Sequence, residues 1–171
     1  MQGFVQVYTG DGKGKTTAAL GLALRAAGAG LKVYLGQFIK NADYSELDIL
    51  HRLVDVITVE QYGRGCFLLT EPGQEDIDAA QAGLATIGNA MASATFDLVI
   101  ADEINVACVL GLLSEHDLLA LITRRPPAVE LVLTGRGAPA AVVARADLVT
   151  EMRPIKHYYD RGVLARKGIE G

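Results

Sequence analysis

The sequence has no tryptophan and only two cysteines, Cys66 and Cys108, among its 171 residues. Two cysteines cannot build the disulfide framework of a small secreted protein, so we expect a reducing, cytoplasmic compartment. The first residues lack the charged segment and apolar segment of an ordinary signal peptide. No apolar run reaches the length of a membrane span, and we expect no association with a membrane.

An excess of basic charge is also absent. The net charge is -4, from 16 Lys and Arg against 20 Asp and Glu, which argues against a nucleic-acid partner. The charge is nevertheless uneven, because residues 153–171 are rich in basic side chains. We predict that this basic C-terminal segment packs on or near the functional site, where it suits an anionic ligand.

What the sequence does have is apolar residues, at 50%, and 19 glycines, enough for one domain with a hydrophobic core. Short apolar runs predict strands over Phe4–Tyr8, Lys32–Phe38, Val56–Gln61, Leu98–Asp102, Glu130–Thr134 and Asp147–Met152. The segments between them predict helices over Lys15–Ala27, Tyr44–Leu53, Glu75–Ala94, Asn105–Gly111, Ser114–Arg124 and Pro139–Ala144.

This alternation predicts a single α/β domain over residues 1–171. We expect a mostly parallel sheet of about six strands with helices on both faces. Most of the predicted strands are continuous apolar runs, as expected of strands covered on both faces. Ligands of such sheets bind beyond the carboxyl ends of the strands, so the loops there are the places to examine.

A glycine-rich loop follows the first predicted strand and leads directly into the first predicted helix. Its sequence is Thr9-Gly10-Asp11-Gly12-Lys13-Gly14-Lys15-Thr16-Thr17. Glycines let backbone N–H groups converge on an anion, and the helix N-terminus adds partial positive charge. We predict that this phosphate loop binds a nucleotide, with Lys15 at the terminal phosphates and Thr16 as a ligand of Mg²⁺. The alternative is a Gly/Lys turn without a ligand.

The loop departs from the strict phosphate-loop pattern in one place. That pattern has a glycine where this chain has Thr9, and this chain carries an additional lysine, Lys13. The loop is therefore a variant of the general motif.

Two carboxylates, Asp102 and Glu103, end the fourth predicted strand. In a phosphate-loop fold we expect this strand beside the first, so that its acidic end faces the Mg²⁺ that bridges the phosphates. We predict that Asp102 or Glu103 holds the metal, directly or through water; the alternative is a solvated strand end. Gln37 and Arg136 end two other predicted strands, and each is either a contact to phosphate or substrate or a solvent-facing residue.

A hydrophobic loop follows the third predicted strand, with the sequence Gly63-Arg64-Gly65-Cys66-Phe67-Leu68-Leu69. Loops lie on the surface and are seldom so apolar. It is either a segment of the core or a surface that receives the flat, apolar face of a ligand.

Taken in order along the chain, these motifs resemble the ATP:corrinoid adenosyltransferases of cobalamin synthesis. The resemblance covers nearly the whole chain, and the Thr9 variant of the phosphate loop matches it. It further rests on the segments Gly36-Gln37-Phe38-Ile39-Lys40, Gly63-Arg64-Gly65-Cys66-Phe67, Asp102-Glu103-Ile104-Asn105, Thr134-Gly135-Arg136 and residues 146–170.

The resemblance implies a RecA-like phosphate-loop sheet, a homodimer and a transferase activity. Such enzymes transfer the 5′-deoxyadenosyl group of ATP to the Co(I) of a corrinoid and release triphosphate, in cobalamin biosynthesis or salvage. The nucleotide lies reversed in the loop relative to hydrolases. A flavoprotein reductant is the further partner that we expect.

This chemistry agrees with the residues. Co(I) is itself the nucleophile, so no protein base is needed. Backbone N–H groups of the loop, Lys13, Lys15 and Mg²⁺ on Thr16 and Glu103 would stabilise the leaving triphosphate.

The corrinoid requires an apolar contact that keeps a lower axial ligand off cobalt, and Phe67 and Leu68 are our candidates. Longer relatives place a Phe and a Trp near here, whereas this chain has no Trp. In the basic C-terminal segment, Lys156, His157 and Arg161 are candidates for contacts to phosphates or corrin carboxylates.

Two other functions remain open at this point. One is a small phosphate-loop nucleotide kinase or ATPase that acts on the γ-phosphate. The other is a non-catalytic, ATP-gated corrinoid carrier. The products formed from ATP and a reduced corrinoid distinguish all three.

Overall fold

The structure is a computed structural model that describes residues 2–42, 44–63 and 72–170. Its strands are β1 (Val5–Thr9), β2 (Val33–Phe38), β3 (Ile57–Tyr62), β4 (Leu98–Asp102), β5 (Glu130–Thr134) and β6 (Leu148–Glu151). Its α-helices are α1 (Lys15–Gly28), α2 (Ser45–Leu50), α3 (Gln74–Ala92), α4 (Ile104–Val109), α5 (Glu115–Arg124) and α6 (Ala140–Arg145). Short 3-10 turns cover His51–Leu53 and Tyr158–Arg161.

The strands form one parallel sheet in the order β3-β2-β4-β5-β1-β6. This confirms the predicted α/β fold with a parallel sheet. The expectation that β4 lies beside β1 is wrong, because β5 separates them and pairs with both. Leu131, Val132 and Leu133 of β5 are fully buried, so burial of this continuous apolar segment favours a central position.

Helices cover both faces of the sheet, as predicted. On one face α1 places Ala19 and Ala23 against a core that includes Leu35 and Ile100. On the other face α3 and α5 pack over a larger core that includes Ile87 and Leu118. Alanines on α1 carry short side chains, which lets the helix lie close to the sheet and brings its first turn near the strand ends.

β6 is the exception to the expected burial. All four of its residues are exposed, although the sequence resembles that of the buried strands. β6 lies at the edge of the sheet beside β1, where one side of the strand has no neighbouring strand in the described part of the chain.

Local signals at the helix ends hold in the structure. The Ser114 hydroxyl accepts the Asp117 N–H at 3.2 Å, the predicted N-cap of α5. Across the described ranges, no helix combines the length and apolar character needed to cross a membrane.

Candidate active site

The phosphate loop runs from the end of β1 to the start of α1, at the carboxyl edge of the sheet. Gly10 and Gly14 have φ of +91° and +117°, which favours glycine at both positions. The Gly12 N–H donates to the Met152 carbonyl at 2.7 Å, and a Cβ at Gly12 would lie 2.7 Å from that oxygen. The loop is therefore packed against the chain that follows β6, and the Gly12 N–H is engaged there rather than open to an anion.

Lys15 lies folded inside this loop. Its ammonium donates to the carbonyls of Gly10 at 2.7 Å and Gly12 at 2.8 Å, and the residue is 7% exposed. Burial, with a smaller contribution from Arg136, lowers the pKa of Lys15. The loop carbonyls hold this cation at the position where an anionic ligand would compete for it.

Behind Thr16 lies a buried carboxylate, Asp102, with hydrogen bonds to both oxygens. Thr16 and Thr134 donate their hydroxyls to its Oδ1 at 2.9 and 2.7 Å. Lys40 donates to its Oδ2 at 2.8 Å, and the Gln37 amide lies 3.3 Å from the same oxygen. Asp102 thus links three strand ends to the first turn of α1, although β5 separates β4 from β1.

Glu103, the next residue, is only partly buried, whereas Asp102 is fully buried. It is the N-cap of α4 with φ +59°, and its N–H donates to the Thr134 hydroxyl at 3.0 Å. Burial is the main cause that raises the pKa of its carboxyl; Asp102 raises it further, while Lys40, Lys15 and Arg136 act in the opposite direction. Within the described residues, no hydrogen bond or ion pair reaches this carboxylate, which lines the cavity described next.

A cavity of about 580 Å³ opens between the phosphate loop, the end of β2, α4 and the C-terminal segment. Its lining residues are Gly12, Lys13, Gly14, Lys15, Thr16, Thr17, Ile39, Lys40, Tyr44, Glu103, Val106, Leu110, Arg136, His157 and Glu170. Cations and backbone of the loop form one wall, and Ile39, Val106 and Leu110 give the cavity an apolar side. Such a cavity can hold an anion and an apolar ligand side by side.

The structure brings many of the sequence-predicted residues together here. Lys13, Lys15, Thr16, Glu103, Arg136 and His157 line the cavity, with Gly12, Gly14 and Thr17 beside them. Thr9, Gly10 and Asp11 do not line it; the Thr9 hydroxyl instead accepts the Ala138 N–H at 3.2 Å. Asp102 and Gln37 are fully buried behind the wall, and Gln37 also accepts the Gln61 amide at 3.1 Å.

Other predicted residues lie elsewhere. Lys156 and Arg161 are exposed and do not line the cavity. Phe67 and Leu68 lie outside the described residues, as does Cys66.

Lys13 is exposed and also contacts the C-terminal segment. Its ammonium donates to the Ile169 carbonyl at 2.6 Å and lies 3.9 Å from the Glu170 carboxylate. Glu170 in turn accepts hydrogen bonds from Arg166 and from the Tyr158 hydroxyl, and these hold its pKa at about 2, Arg166 being the larger cause. A polyanion in the cavity would meet Lys13 next to this carboxylate.

Lys40 has no assigned role in the sequence analysis, although it stands in a quoted motif. Burial would lower its pKa, but Asp102 more than offsets this, and the pKa of Lys40 is raised. Its ammonium also lies 5.1 Å from the centre of the Tyr44 ring. Its place after β2, at the carboxyl edge of the sheet, is the feature that could have identified it.

A metal ion here would depend on few protein ligands. In the part of the chain that the structure describes, no three His, Cys, Asp or Glu residues cluster closely enough to hold a metal. The Thr16 hydroxyl donates its hydrogen to Asp102, so its lone pairs are free for a cation, and the Glu103 carboxylate has no partner among the described residues. This donor set suits Mg²⁺, which takes one or two protein oxygens and completes its shell with phosphates and water.

Comparisons with known proteins agree with one another. The family model described as ATP:corrinoid adenosyltransferase BtuR/CobO/CobP matches residues 1–171. A corrinoid adenosyltransferase of Pseudomonas aeruginosa is 37% identical over 99% of this chain and 84% of its own length. The corrinoid adenosyltransferase of Escherichia coli K12 and the corrinoid adenosyltransferase CobA of Salmonella typhimurium are each 33% identical, over 99% of this chain and 86% of their own lengths.

Proposed function

The chain belongs to the ATP:corrinoid adenosyltransferase family, a family of phosphate-loop α/β transferases of cobalamin metabolism, and on that premise we propose how it acts. It transfers the 5′-deoxyadenosyl group of ATP to the Co(I) of a corrinoid and releases triphosphate. The observation that carries this proposal is one cavity that is lined both by the phosphate loop and by apolar side chains. ATP and a corrinoid must meet in such a place for the adenosyl group to pass between them.

The reaction is a substitution at carbon. The electron pair of Co(I) attacks the ribose 5′ carbon, the cobalt–carbon bond forms, and the bond from that carbon to the triphosphate oxygen breaks. The bonding pair leaves with the triphosphate, and no proton is transferred. The protein therefore has to align the two substrates and stabilise the anion that departs.

Cations of the phosphate loop supply that stabilisation. Lys15 now donates to two loop carbonyls, and we propose that it exchanges them for triphosphate oxygens. Lys13 and Arg136 line the same wall and add positive charge, and the first turn of α1 adds its N–H groups. Developing negative charge on the triphosphate would thus meet Arg136 and the helix N–H groups, and also Lys13 and Lys15 once they have exchanged their present carbonyl partners.

We propose that Thr16 and Glu103 hold Mg²⁺ beside the triphosphate. When bound, Mg²⁺ neutralises part of the charge on the departing phosphates. Asp102 lies behind Thr16, and both of its carboxylate oxygens accept hydrogen bonds. In this proposal Asp102 therefore positions Thr16 and does not contact the metal.

The corrinoid occupies the apolar side of the cavity in this proposal. Ile39, Val106 and Leu110 offer surface for a flat macrocycle, and Phe67 and Leu68 remain our candidates for the contact that keeps the lower axial ligand off cobalt. His157 lines the cavity and Lys156 and Arg161 lie exposed nearby in sequence, and we propose these three for contacts to phosphates or corrin carboxylates.

Three further proposals rest on the family resemblance. The protein acts as a homodimer, it works in the cytoplasm, and a flavoprotein supplies the electron that makes Co(I). The basic C-terminal segment, 153–171, closes over the site in this scheme, and the Lys13–Ile169 hydrogen bond supports that placement.

The test is to incubate the protein with ATP, Mg²⁺ and a chemically reduced corrinoid. We expect the absorption spectrum of an adenosyl-cobalt product, together with one triphosphate for each cobalt–carbon bond. ADP as the nucleotide product would instead indicate a kinase or ATPase. Binding of both ligands without a cobalt–carbon bond would indicate a carrier.

A further inference from the structure

Lys40 is a cation that lines the cavity and to which the reaction described above gives no role. Its ammonium is 2.8 Å from Asp102 Oδ2, and the two side chains are 14% and 0% exposed. A buried carboxylate with neutral donors alone is strongly disfavoured, whereas a paired one is tolerated. The positive charge of Lys40 therefore balances the negative charge of Asp102. Asp102 must stay ionised to accept its other hydrogen bonds, and Lys40 makes this possible.

Both protein ligands proposed for Mg²⁺ depend on that carboxylate. Asp102 Oδ1 accepts the Thr16 hydroxyl directly, which turns the lone pairs of Thr16 away from Asp102. The same oxygen accepts the Thr134 hydroxyl, and Thr134 in turn accepts the N–H of Glu103. One carboxylate thus fixes the hydroxyl of Thr16 and the backbone of Glu103.

The backbone around Lys40 is built to place its side chain there. Ile39 has φ +67°, a left-handed conformation that a β-branched residue rarely adopts. The Lys40 carbonyl accepts the Gly63 N–H at 3.0 Å, and a Cβ at Gly63 would lie 2.3 Å from the Ile39 carbonyl carbon. Backbone strain at a ligand cavity commonly accompanies a functional requirement.

We propose that Lys40 is a positioning residue for the metal: through Asp102 it orients Thr16 and Glu103 toward Mg²⁺ without touching the triphosphate itself. This inference rests on the metal site of the proposed function. Partners of metal ligands typically contribute about 10- to 100-fold to metal affinity. A direct phosphate contact would act whether or not the metal is present, and this difference makes the two roles separable.

The experiment measures binding of inorganic tripolyphosphate by calorimetry, with Mg²⁺ and with a chelator. In Lys40→Gln, whose amide still donates a hydrogen bond but carries no charge, we expect the affinity in Mg²⁺ to fall about 10-fold or more. In the chelator the affinity should change less than about threefold, and Lys40→Arg should restore most of the loss. Lys32→Gln, an exposed lysine before β2, is the matched control and should bind as the wild type does.

A double-mutant cycle distinguishes positioning from a general structural effect. Thr16→Val should remove most of the Mg²⁺-dependent part of the affinity, and adding Lys40→Gln should then cost less than Lys40→Gln costs alone. If Lys40→Gln does not fold, Lys40→Gln with Asp102→Asn removes both buried charges and should show the same loss in Mg²⁺.

Four results would overturn the inference. Equal losses with and without the metal would show a direct or merely structural role. Unchanged binding in Lys40→Gln would show that Asp102 needs no partner, and additive losses in the cycle would show that Lys40 does not act through Thr16. A wild-type affinity that Mg²⁺ does not raise would refute the proposed metal site and this inference with it.

Discussion

At the scale of single residues, the site keeps its key cation in an unfavourable place. The Lys15 ammonium is almost fully buried, and burial lowers its pKa, so the folded protein disfavours the charged form. A group of this kind contributes no stability at neutral pH. We infer that its position serves ligand binding rather than folding.

Replacing Lys15 with Met should therefore separate activity from stability. We expect adenosyl transfer to fall about 100-fold or more, the cost of removing a charged donor from a departing anion. The melting temperature should change little, because the loss of two hydrogen bonds to loop carbonyls is offset by the loss of a buried charge. Turnover assays and thermal unfolding measure the two effects.

Lys32→Met is the control for this substitution, since Lys32 is exposed at the opposite edge of the sheet. It should keep full activity. Wild-type turnover of Lys15→Met at saturating ATP would contradict the role of Lys15.

At the scale of elements, the position of α3 depends on the aromatic ring of Tyr62, which packs against Gly83 of that helix. A Cβ at Gly83 would lie 2.4 Å from Cγ of Tyr62, and one at Gly36 of β2 would lie 2.7 Å from Cε2 of the same ring. Gly88 lies in the same helix with nothing within 4 Å of its added Cβ. Close packing against Tyr62 thus requires a glycine at position 83, whereas no contact among the described residues requires one at position 88.

Alanine at these two positions should have opposite effects. Gly83→Ala should lower the free energy of unfolding by about 2 kcal/mol, because the ring has little room to move. Gly88→Ala should raise it by about 0.5 to 1 kcal/mol through the unfolded state. Urea denaturation measures both, and equal effects would show that Tyr62 does not set the position of α3.

The C-terminal turn is a second element, and hydrogen bonds to the Glu170 carboxylate hold it. Glu170 accepts the Arg166 N–H at 2.7 Å, and its pKa of about 2 is well below the ordinary 4.5. A depressed acid pKa contributes stability above the ordinary value and loses it as the pH falls through the folded value. The turn should therefore persist to acidic pH.

The exchange rate of the Arg166 amide, corrected for intrinsic pH dependence, tests this. We expect protection to be constant from pH 8 to about 4.5 and to decline progressively as the pH falls from there to about 2. Glu170→Gln should lose protection throughout that range, whereas Glu115→Gln, at an exposed site on α5, should not. Protection already lost at pH 4.5 would show that the ionised Glu170 carboxylate is not the acceptor that protects the Arg166 amide.

At the scale of the whole molecule, the sequence predicts the elements better than their arrangement. Apolar runs and cap residues such as Ser114 locate strands and helices, because these signals are local in the chain. The expected position of β4 beside β1 is wrong, because strand order depends on how several buried apolar segments share the central positions, and β4 and β5 are both buried along nearly their whole length. No local pattern reports that competition.

In the site, too, the sequence predicts residues that belong to a local motif and does not predict contacts between distant residues. The phosphate loop and Glu103 follow from a motif and its place at the strand ends. The sequence does not indicate the proposed role of Lys40, because that role depends on a contact with Asp102, 62 residues away in sequence, and on the backbone conformation at Ile39. The hydrogen bond from Lys13 to the Ile169 carbonyl likewise joins distant parts of the chain.

In the proposed function, the loop holds the triphosphate so that carbon, not phosphorus, faces the second substrate. A crystal structure with a non-reactive ATP analogue and Mg²⁺ tests it most directly. We expect triphosphate oxygens on Lys15 and the ribose 5′ carbon open toward Ile39, Val106 and Leu110. A γ-phosphorus open to that apolar side, with the 5′ carbon turned away from it, would instead indicate phosphoryl transfer.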